Sequence, residues 1–229
     1  MKKRALATSA KGLFILCLPF LLLTASLGWA ANSLWLYKYG FEKYSVSQTT
    51  GLASSELDKT ARGLISYFNS DEEYISLSVI KDGEPFELFN QREVWHLKDV
   101  KGLIRLDYWV LLGTLVYALA YAGVCLFWRK RKYWRHLAWG LVGGGGLTLA
   151  LMLAMGLGAL FDFQELFWQF HVISFSNELW QLDPSDYLLR LFTGGFFYDA
   201  TIFCAAISAG LAIILGGVGG FTLSRVDKR

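Results

Sequence analysis

Residues 108–128 read YWVLLGTLVYALAYAGVCLFW, and this stretch decides the fold because it contains no Asp, Glu, Lys or Arg. A run of about 20 apolar residues is long enough to cross the hydrocarbon core of a bilayer as a helix. Three other runs of the same character occupy residues 13–36, 137–161 and 200–223. Since the bilayer core offers no water to the backbone, each run must satisfy its own hydrogen bonds as an α-helix. The sequence therefore predicts an all-α membrane protein with four transmembrane helices.

The composition of the 229-residue chain agrees with this prediction, because 54% of the residues are hydrophobic and 18% are charged. A soluble domain carries about 25% charged residues, and a disordered chain combines high charge with low hydrophobicity. Both classes are therefore excluded. The sequence contains no GxSxG elbow, no phosphate-binding loop and no basic surface suited to nucleic acid. We expect neither a nucleic-acid partner nor a cofactor.

The distribution of charge predicts the orientation in the membrane. The N-terminus, the connection of residues 129–135 and the C-terminus together carry twelve basic residues and one acid. Segments 37–107 and 162–199 carry ten basic and eighteen acidic residues. Because cytoplasmic loops are rich in Lys and Arg, we expect both termini in the cytoplasm and both segments outside it. The chain, residues 1–229, is interpreted as a single membrane domain.

The first apolar run is open to a second interpretation. Lys2, Lys3 and Arg4 resemble the basic start of a secretory signal peptide, and residues 28–30 resemble a weak cleavage site. The run is nevertheless longer than the ~7–15 residues of a signal-peptide core. We therefore expect an uncleaved membrane anchor.

Glycines inside the last two apolar runs predict close helix packing. Gly140 and Gly144 have the small-xxx-small spacing that lets helix backbones approach in a membrane, and so do Gly216 and Gly220. We expect the third and fourth helices to pack tightly against each other.

The segments between the apolar runs have patterns of a small folded portion, mainly helical with one β-hairpin. Apolar residues over 52–68 recur at helical spacing, and the pattern from residue 91 predicts a helix that leads straight into the second apolar run. Lys81-Asp82-Gly83 is a turn signal between two β-prone stretches. Further along, Asp183-Pro184 is typical of a helix start, and residues 193–195 are typical of its end.

The chain has three histidines, and two of them are candidate site residues. His96 and His171 each lie in one of the outward segments, near an apolar run, so their imidazoles can meet at the outer membrane surface. His136 follows the basic connection and is interpreted as an interfacial residue. Imidazole is suited to proton transfer near neutral pH. The plainer alternative is that each ring is a satisfied polar group among aromatic side chains.

Neighbours of His96 and His171 suggest two further arrangements. Arg92 and Asp99 share the helical face of His96, so Asp99 could orient the ring and Arg92 could hold an anion. A zinc site of two histidines and an acid such as Asp99, Asp162 or Asp183 is the other arrangement. The sequence has no HExxH and no other tight ligand spacing, so we expect no metal.

Three stretches around these histidines resemble a known family. They are REVWHLKDVKGL (residues 92–103), FHVISFSNELWQLDPSDYLLRLF (residues 170–192) and GGFFYDA (residues 194–200). In the order of its apolar runs and the placement of these motifs, the whole chain is similar to lipoprotein intramolecular transacylases, four-span membrane proteins of Firmicutes. It departs from the family pattern at Thr193-Gly194, where a Pro-Glu type of pair is expected, and this departure concerns the turn there.

This resemblance implies an enzyme, an acyltransferase that modifies bacterial lipoproteins. The substrate would carry a diacylglyceryl thioether on its N-terminal cysteine. The enzyme would move the sn-2 acyl chain to the α-amino group of that cysteine, which gives an N-acyl, S-monoacylglyceryl (lyso-form) lipoprotein. The resemblance further implies that His96 and His171 are the catalytic residues, and that the partners are diacylated lipoproteins, with their acyl chains, and membrane lipid.

The residues fit that reaction. Because nucleophile and ester are on one molecule, positioning alone can supply about 7–11 kcal/mol of the barrier reduction, and no protein nucleophile is needed. One histidine would take a proton from the amine and the other would give one to the departing oxygen. Arg92, Asn177 or Trp180 could stabilise the oxyanion, and Asp99 or Asp183 could orient an imidazole.

Two rival classes of function stay open on the sequence. One is a non-enzymatic membrane assembly factor or sensor whose outward portion binds a partner. The other is a membrane hydrolase that depends on a metal held by the histidines. Conversion of diacylated lipoproteins to the lyso form separates the first rival from an acyltransferase, and sensitivity to chelation separates the second.

Overall fold

The computed structural model describes residues 2–127 and 133–226. Trp128 and the basic residues 129–132, which contribute to the predicted orientation, lie outside the described residues, as do Met1 and residues 227–229. Helices dominate the described chain, in the order α1 Lys2–Asn32, α2 Leu34–Lys43, α3 Val46–Thr50, α4 Ser54–Asn69, β1 Ser78–Lys81, β2 Glu84–Glu87, α5 Gln91–Phe127, α6 Trp134–Ser174, α7 Tyr187–Leu191 and α8 Gly194–Val226.

Four of these helices, α1, α5, α6 and α8, are long and apolar enough to cross a membrane. The predicted all-α membrane fold with four transmembrane helices and a small hairpin is therefore confirmed. The first helix ends at Asn32, before the predicted limit at residue 36, because Ser33 is extended and starts the next helix. Its hydroxyl accepts a hydrogen bond from the backbone N–H of Leu36 at 3.3 Å, as an N-cap does.

The described chain divides into two compact units. The bundle unit contains residues 2–27, 107–127, 133–158 and 202–226, and the site unit contains Gly28–Leu106 and Ala159–Thr201. The bundle unit holds most of the apolar runs. The site unit holds the hairpin, the short helices and both candidate histidines.

Glycines let α6 and α8 approach closely in the bundle unit. A Cβ built on Gly145 would lie 2.9 Å from the carbonyl oxygen of Ala212, and one on Gly219 would lie 2.6 Å from that of Ala138. Real Cβ atoms do not come this close to backbone, so only glycine permits the contact. The predicted tight packing of the third and fourth helices is confirmed.

Of the predicted glycines, Gly216 lies at this contact, where a Cβ on Gly145 would be 3.3 Å from its Cα, and the other three do not. A Cβ on Gly140 or Gly144 would meet Phe14 or Leu18 of α1, at 2.8 Å in each case, and one on Gly220 would meet open space. The small-xxx-small pair of α6 therefore faces the first helix. Spacing along one helix shows that a close approach is possible, but the partner depends on how the helix is rotated in the bundle.

In the site unit, the sequence patterns and the structure agree at the first outward segment. Helix α4 buries Leu57, Ala61, Leu64 and Phe68 on one face, as predicted. The hairpin pairs Lys81 with Glu84, and both residues of its turn have positive φ, with values of 52° at Asp82 and 85° at Gly83. Two positive φ values are typical of the type I′ turn that suits a two-residue hairpin.

The second outward segment departs from its prediction. The short helix begins at Tyr187 rather than at Asp183-Pro184, and Asp186 is its N-cap residue. The Asp183 side chain instead accepts hydrogen bonds from the backbone N–H and the hydroxyl of Ser185, at 2.8 and 2.6 Å. Asp at the start of such a turn competes with helix formation.

The glycines expected to end that helix begin α8. Gly194 is the first residue of α8, and the hydroxyl of Thr193 accepts a hydrogen bond from the backbone N–H of Phe196 at 3.3 Å. Thr193 therefore caps the helix. The position at which the chain departs from the family pattern thus has a local structural role.

We expect Gly219→Ala to destabilise the bundle unit, whereas Gly220→Ala does not. The added methyl of Gly219→Ala would lie against the Ala138 carbonyl, and such overpacking costs typically about 1–3 kcal/mol. The same methyl on Gly220 meets nothing within 4 Å. Thermal unfolding of the detergent-solubilised chain measures both. Equal midpoints for the two variants would contradict the close approach.

Candidate active site

The structure brings His96 and His171 together. His96 lies near the start of α5 and His171 near the end of α6, and their ring centroids are 6.3 Å apart with an interplanar angle of 29°. In the sequence, the second and third apolar runs lie between the two residues. Their proximity is therefore a product of the fold of the site unit.

Aromatic side chains enclose both imidazoles. The ring of Phe175 lies 5.2 Å from that of His96 and 5.6 Å from that of His171. Trp180 and Phe167 pack against His171 at 5.1 and 4.4 Å. His96 is only 7% exposed, so the rings sit in an environment that excludes most water.

One nitrogen of the pair is without a partner. The Nδ1 atom of His96 is buried, and no hydrogen bond to it is found among the described residues. Leaving a buried polar atom unpaired costs about 1–3 kcal/mol. Buried unpaired atoms are rare in folded proteins and call for an explanation such as a catalytic role.

Burial keeps both imidazoles neutral near pH 7. Burial is the main cause that lowers the pKa of His96 to about 4, and the neighbouring His171 lowers it further, while Asp99 acts in the opposite direction. Burial also lowers the pKa of His171, against the effect of its bond to the Phe167 carbonyl. Neutral rings have a lone pair that can accept a proton, so the pair is poised as a base.

The hydrogen bond of His171 fixes its tautomer. Its Nδ1 atom lies 2.7 Å from the carbonyl oxygen of Phe167. Since a carbonyl oxygen can only accept, Nδ1 carries the hydrogen, and the lone pair of the neutral ring is on Nε2. A hydrogen bond from Nδ1–H to a backbone carbonyl also orients catalytic histidines in enzymes.

Of the other predicted site residues, Asp99 and Asn177 lie against each other. The Asn177 side-chain amide donates to the Asp99 carboxylate at 2.9 Å, and its carbonyl oxygen accepts from the backbone N–H of Leu179 at 2.9 Å. Asp99 therefore holds the loop after α6. Its carboxylate is hydrogen bonded to Asn177, and the idea that it orients an imidazole stays a prediction.

Arg92, Trp180 and Asp183 occupy different positions around the pair. The guanidinium of Arg92 donates to the carbonyl oxygen of Glu178 at 2.9 Å, which fixes the same loop from the other side. Trp180 packs on His171 and on Trp168, at 5.1 and 4.7 Å. Asp183 is exposed and bonds within its own turn.

A shallow cleft of about 330 Å³ opens beside the aromatic ring of Phe175. Its walls are Lys98, Asp99, Gly102 and Leu103 of α5 and residues 174–177. The α5 residues that line the cleft follow His96 in the sequence, and residues 174–177 follow His171, in each case by about one to two helical turns. The cleft therefore lies next to the histidine pair.

Sequence reasoning missed a buried acid that positions the site. Glu93 is 1% exposed, and its carboxylate accepts from the backbone N–H groups of Asn90 and Leu188, at 2.7 Å in both cases. Burial raises the pKa of its carboxyl, while these bonds oppose the rise. Glu93 thus ties the start of α5, three residues before His96, to α7.

The signal for Glu93 was present in the sequence. Asn90 accepts from the backbone N–H of Glu93 at 3.0 Å while Glu93 accepts from that of Asn90. This reciprocal pair is a capping box, which its N-x-x-E spacing could have revealed. Spacing alone would not have shown the second bond, to Leu188.

Among residues 2–127 and 133–226, no group of three or more His, Cys, Asp or Glu side chains lies close enough to hold a metal ion. Of the three acids offered from the sequence as a third ligand, Asp99 lies near His96 and is hydrogen bonded to Asn177. Asp162 lies at a non-helical kink in α6, and Asp183 bonds within its own turn.

Fold and site together define an integral membrane protein with four long apolar helices and a pair of adjacent neutral histidines, one buried and one half-buried, in the second of its two compact units. The chain belongs to the family of the lipoprotein intramolecular transacylase Lit, whose model matches residues 12–197.

Solved structures of one transacylase share the fold. The membrane-integral Lit from Bacillus cereus is 18% identical, with a TM-score of 0.84 over 98% of this chain and 99% of that chain. A variant of the same protein with a histidine-to-alanine substitution is 18% identical, with a TM-score of 0.81 over 99% and 98%. At this level of identity the likeness establishes the fold alone.

A sequence relative comes from Aquifex aeolicus and is described as an uncharacterized protein. It is 27% identical over 141 residues, which are 61% of this chain and 60% of the relative. The match therefore spans about 60% of the length of that curated relative.

We expect Glu93→Ala to destabilise the site unit strongly. The change leaves two backbone N–H groups without their acceptor, and each such loss costs about 1–3 kcal/mol when the donor is buried. Glu73→Ala is the control, because Glu73 pairs with Lys98 at the surface and surface pairs contribute about 0–1 kcal/mol. Thermal unfolding midpoints should fall for the first variant only, and a midpoint for Glu93→Ala within the range of the control would disprove the tie.

The pKa of His96 predicts a specific loss of stability in acid. An unfolded histidine takes up a proton near pH 6.5, whereas the folded ring resists until about pH 4. The unfolded chain therefore binds more protons between these values, so stability is present above pH 6.5 and is lost as the pH falls towards 4. At pH 5 the loss is about 2 kcal/mol. Unfolding scans at pH 7.5 and pH 5 should show this loss of stability for the unmodified chain and for His136→Phe, but not for His96→Phe. An equal loss in all three chains would refute the lowered pKa of His96.

Proposed function

We propose that this chain moves the sn-2 acyl chain of a diacylglyceryl-modified cysteine to the α-amino group of the same cysteine, at the N-terminus of a bacterial lipoprotein. The product is the N-acyl, S-monoacylglyceryl (lyso) form. Membership of the transacylase family supports the substrate class and the type of reaction. The observation that carries the chemistry is the pair of neutral imidazoles 6.3 Å apart in an aromatic enclosure. Neither the assembly or sensor alternative nor the metal-dependent hydrolase is favoured by that membership.

The geometry suits a reaction in which the substrate brings its own nucleophile. The α-amine and the ester belong to one molecule, so holding them in contact replaces a bimolecular encounter, a gain of about 7–11 kcal/mol at best. The protein must then move protons and stabilise the oxyanion. Two histidines are sufficient for the first task.

The hydrogen bond of His171 supports a different role for each histidine in this proposal. His171 has its lone pair on Nε2, so it takes the proton that the α-amine loses when the amine attacks the ester carbonyl. His96 gives a proton to the sn-2 glyceryl oxygen as the C–O bond breaks. A proton passed from His171 to His96 restores both rings. The net movement is one proton from the amine to the glyceryl oxygen, which balances the reaction.

The tetrahedral intermediate needs a hydrogen-bond donor for its oxyanion. Of the three candidates, Asn177 has a side-chain amide hydrogen bonded to Asp99, and Arg92 has one bond to the Glu178 carbonyl. Trp180 packs directly on the His171 ring, and its indole N–H can only donate. We assign the oxyanion contact to Trp180 and a loop-fixing role to Arg92.

The site belongs at the outer face of the membrane in this proposal. The termini are cytoplasmic, as the excess of basic residues indicates, and segments 37–107 and 162–199, which hold both histidines, are extracytoplasmic. The acyl chains lie among the apolar helices. The diacylglyceryl cysteine of a lipoprotein sits at this same water–lipid boundary, so the ester can reach the histidines without leaving the bilayer.

His96→Ala and His171→Ala should each abolish the lyso form. In a host that makes diacylated lipoproteins and lacks the transacylase, mass spectrometry of lipopeptides should show conversion with the unmodified chain and at least a hundredfold less with either variant, since general acid–base steps contribute about 10²–10⁴-fold.

His136→Ala is the matched control, because it removes the third histidine and should leave conversion intact. Full conversion by either site variant would remove that histidine from the mechanism. Unchanged lipopeptides with the unmodified chain would favour a binding function, and loss of conversion on chelation would favour the metal-dependent alternative.

A further inference from the structure

The cleft beside the histidine pair presents a negative charge. Its walls contain two ionisable side chains, Lys98 and Asp99. The ammonium of Lys98 pairs with Glu73 at 2.6 Å and lies 4.8 Å above the ring of Tyr74. The hydrogen bond of Asp99 is to the neutral amide of Asn177. The positive charge is therefore balanced by an acid on another segment, and the negative charge is left to face the cleft.

The cleft is continuous with the catalytic pair. Phe175 lines the cleft, and its ring packs against both imidazoles, at 5.2 and 5.6 Å. Asp99 lies on the same helix three residues after His96, so the two side chains share a face. A group bound at Asp99 is thus next to the histidines.

The loop that forms the second wall is held rigidly. Asn177 bonds to Asp99 and to the backbone N–H of Leu179, and Arg92 bonds to the carbonyl oxygen of Glu178. The bonds of Asp99 and Arg92 connect α5 to the loop after α6, and the bond to Leu179 lies within that loop. The carboxylate of Asp99 is consequently fixed in place before any substrate arrives, which lowers the entropic cost of binding.

The substrate of the proposed function carries a matching group. An α-amine has a pKa of about 7.7–8.0, so most of it is ammonium at neutral pH. A buried pair of neutral imidazoles does not attract a cation. A carboxylate beside the pair gives the ammonium a charged hydrogen-bond partner, which is stronger than a neutral one.

On the basis of the proposed function, we propose that Asp99, fixed by Asn177, binds the α-ammonium group of the N-terminal cysteine of the lipoprotein. Gly102 and Leu103 line the path for the first residues of the polypeptide that follow that cysteine. Asp99 is a positioning and specificity residue: it holds the amine beside His171 and selects lipoproteins whose α-amine is free over those already N-acylated.

Binding of two lipopeptides tests this role without turnover. Both carry a diacylglyceryl cysteine and the same short peptide, and one is N-acetylated. The full-length chain with His171→Ala, in detergent micelles, should bind the free amine at least tenfold more tightly by isothermal titration calorimetry. Adding Asp99→Asn should reduce the ratio of the two Kd values to near one, and Asp99→Glu should restore part of it.

Asp183→Asn is the control, because it removes an acid that bonds within its own turn and does not line the cleft. It should keep the tenfold ratio. Asn177→Ala, which leaves the carboxylate unfixed, should lower it and provides a second route if Asp99→Asn fails to fold.

The outcomes distinguish a failure of this inference from a failure of the proposed function on which it rests. Equal binding of the two lipopeptides by the His171→Ala chain, or a ratio unchanged by Asp99→Asn, overturns the role of Asp99 and leaves the acyl transfer standing. If neither lipopeptide binds, both the role of Asp99 and recognition of diacylated lipoproteins are overturned.

Discussion

The absence of water in the bilayer core is the constraint on which the rest of this structure depends. Backbone groups in hydrocarbon must pair within their own segment, so the apolar runs form helices, and a helix once formed extends readily at its ends. Helix α5 begins at Gln91, well before its apolar run, and α6 continues to Ser174, well after its own. The extension of α5 carries His96. The backbone of Asp162 in α6 is non-helical, and its carboxylate accepts a hydrogen bond from the backbone N–H of Glu165 at 3.0 Å. His171 therefore lies on a helical segment that starts anew after the apolar run, so the two candidate catalytic residues are placed in different ways.

Burial then determines the chemistry that these histidines can perform. Burial lowers the pKa of both rings, so they are free bases at neutral pH. Burying a charged substrate group in the same aromatic enclosure is unfavourable. In the proposed binding of the α-ammonium group, the Asp99 carboxylate at the edge of the pair offsets this cost. Neutral rings inside and a fixed negative charge beside them are complementary parts of one arrangement.

The start of α5 contains both the buried acid Glu93 and the candidate catalytic residue His96. Glu93 is fully buried, and its carboxylate connects the first turn of α5 to α7, one turn before His96 on the same helix. A buried acid is costly unless hydrogen bonded, and here two backbone donors satisfy it. The position of the histidine therefore depends on a polar contact rather than on apolar packing alone.

Local patterns predicted the parts of the fold that local interactions determine. The hairpin turn at Asp82-Gly83, the amphipathic α4 and the continuity of α5 all follow from neighbours in sequence. The short helix α7 was misplaced because Asp183 forms a turn with Ser185, an outcome that competes closely with helix initiation. The glycines of α6 were identified correctly but one pair was given the wrong partner, since helix rotation is set by all neighbours at once.

The sequence by itself determined four membrane helices, a charge asymmetry, and two histidines in the segments between them. It also carried the motifs of the transacylase family. Only the tertiary structure decided that the two imidazoles meet, that His171 has its lone pair on Nε2, and that the Asp99 carboxylate accepts a hydrogen bond from Asn177. Helix formation and membrane insertion depend on composition within one segment, whereas burial, tautomers and charge pairing depend on atoms that only folding brings into contact.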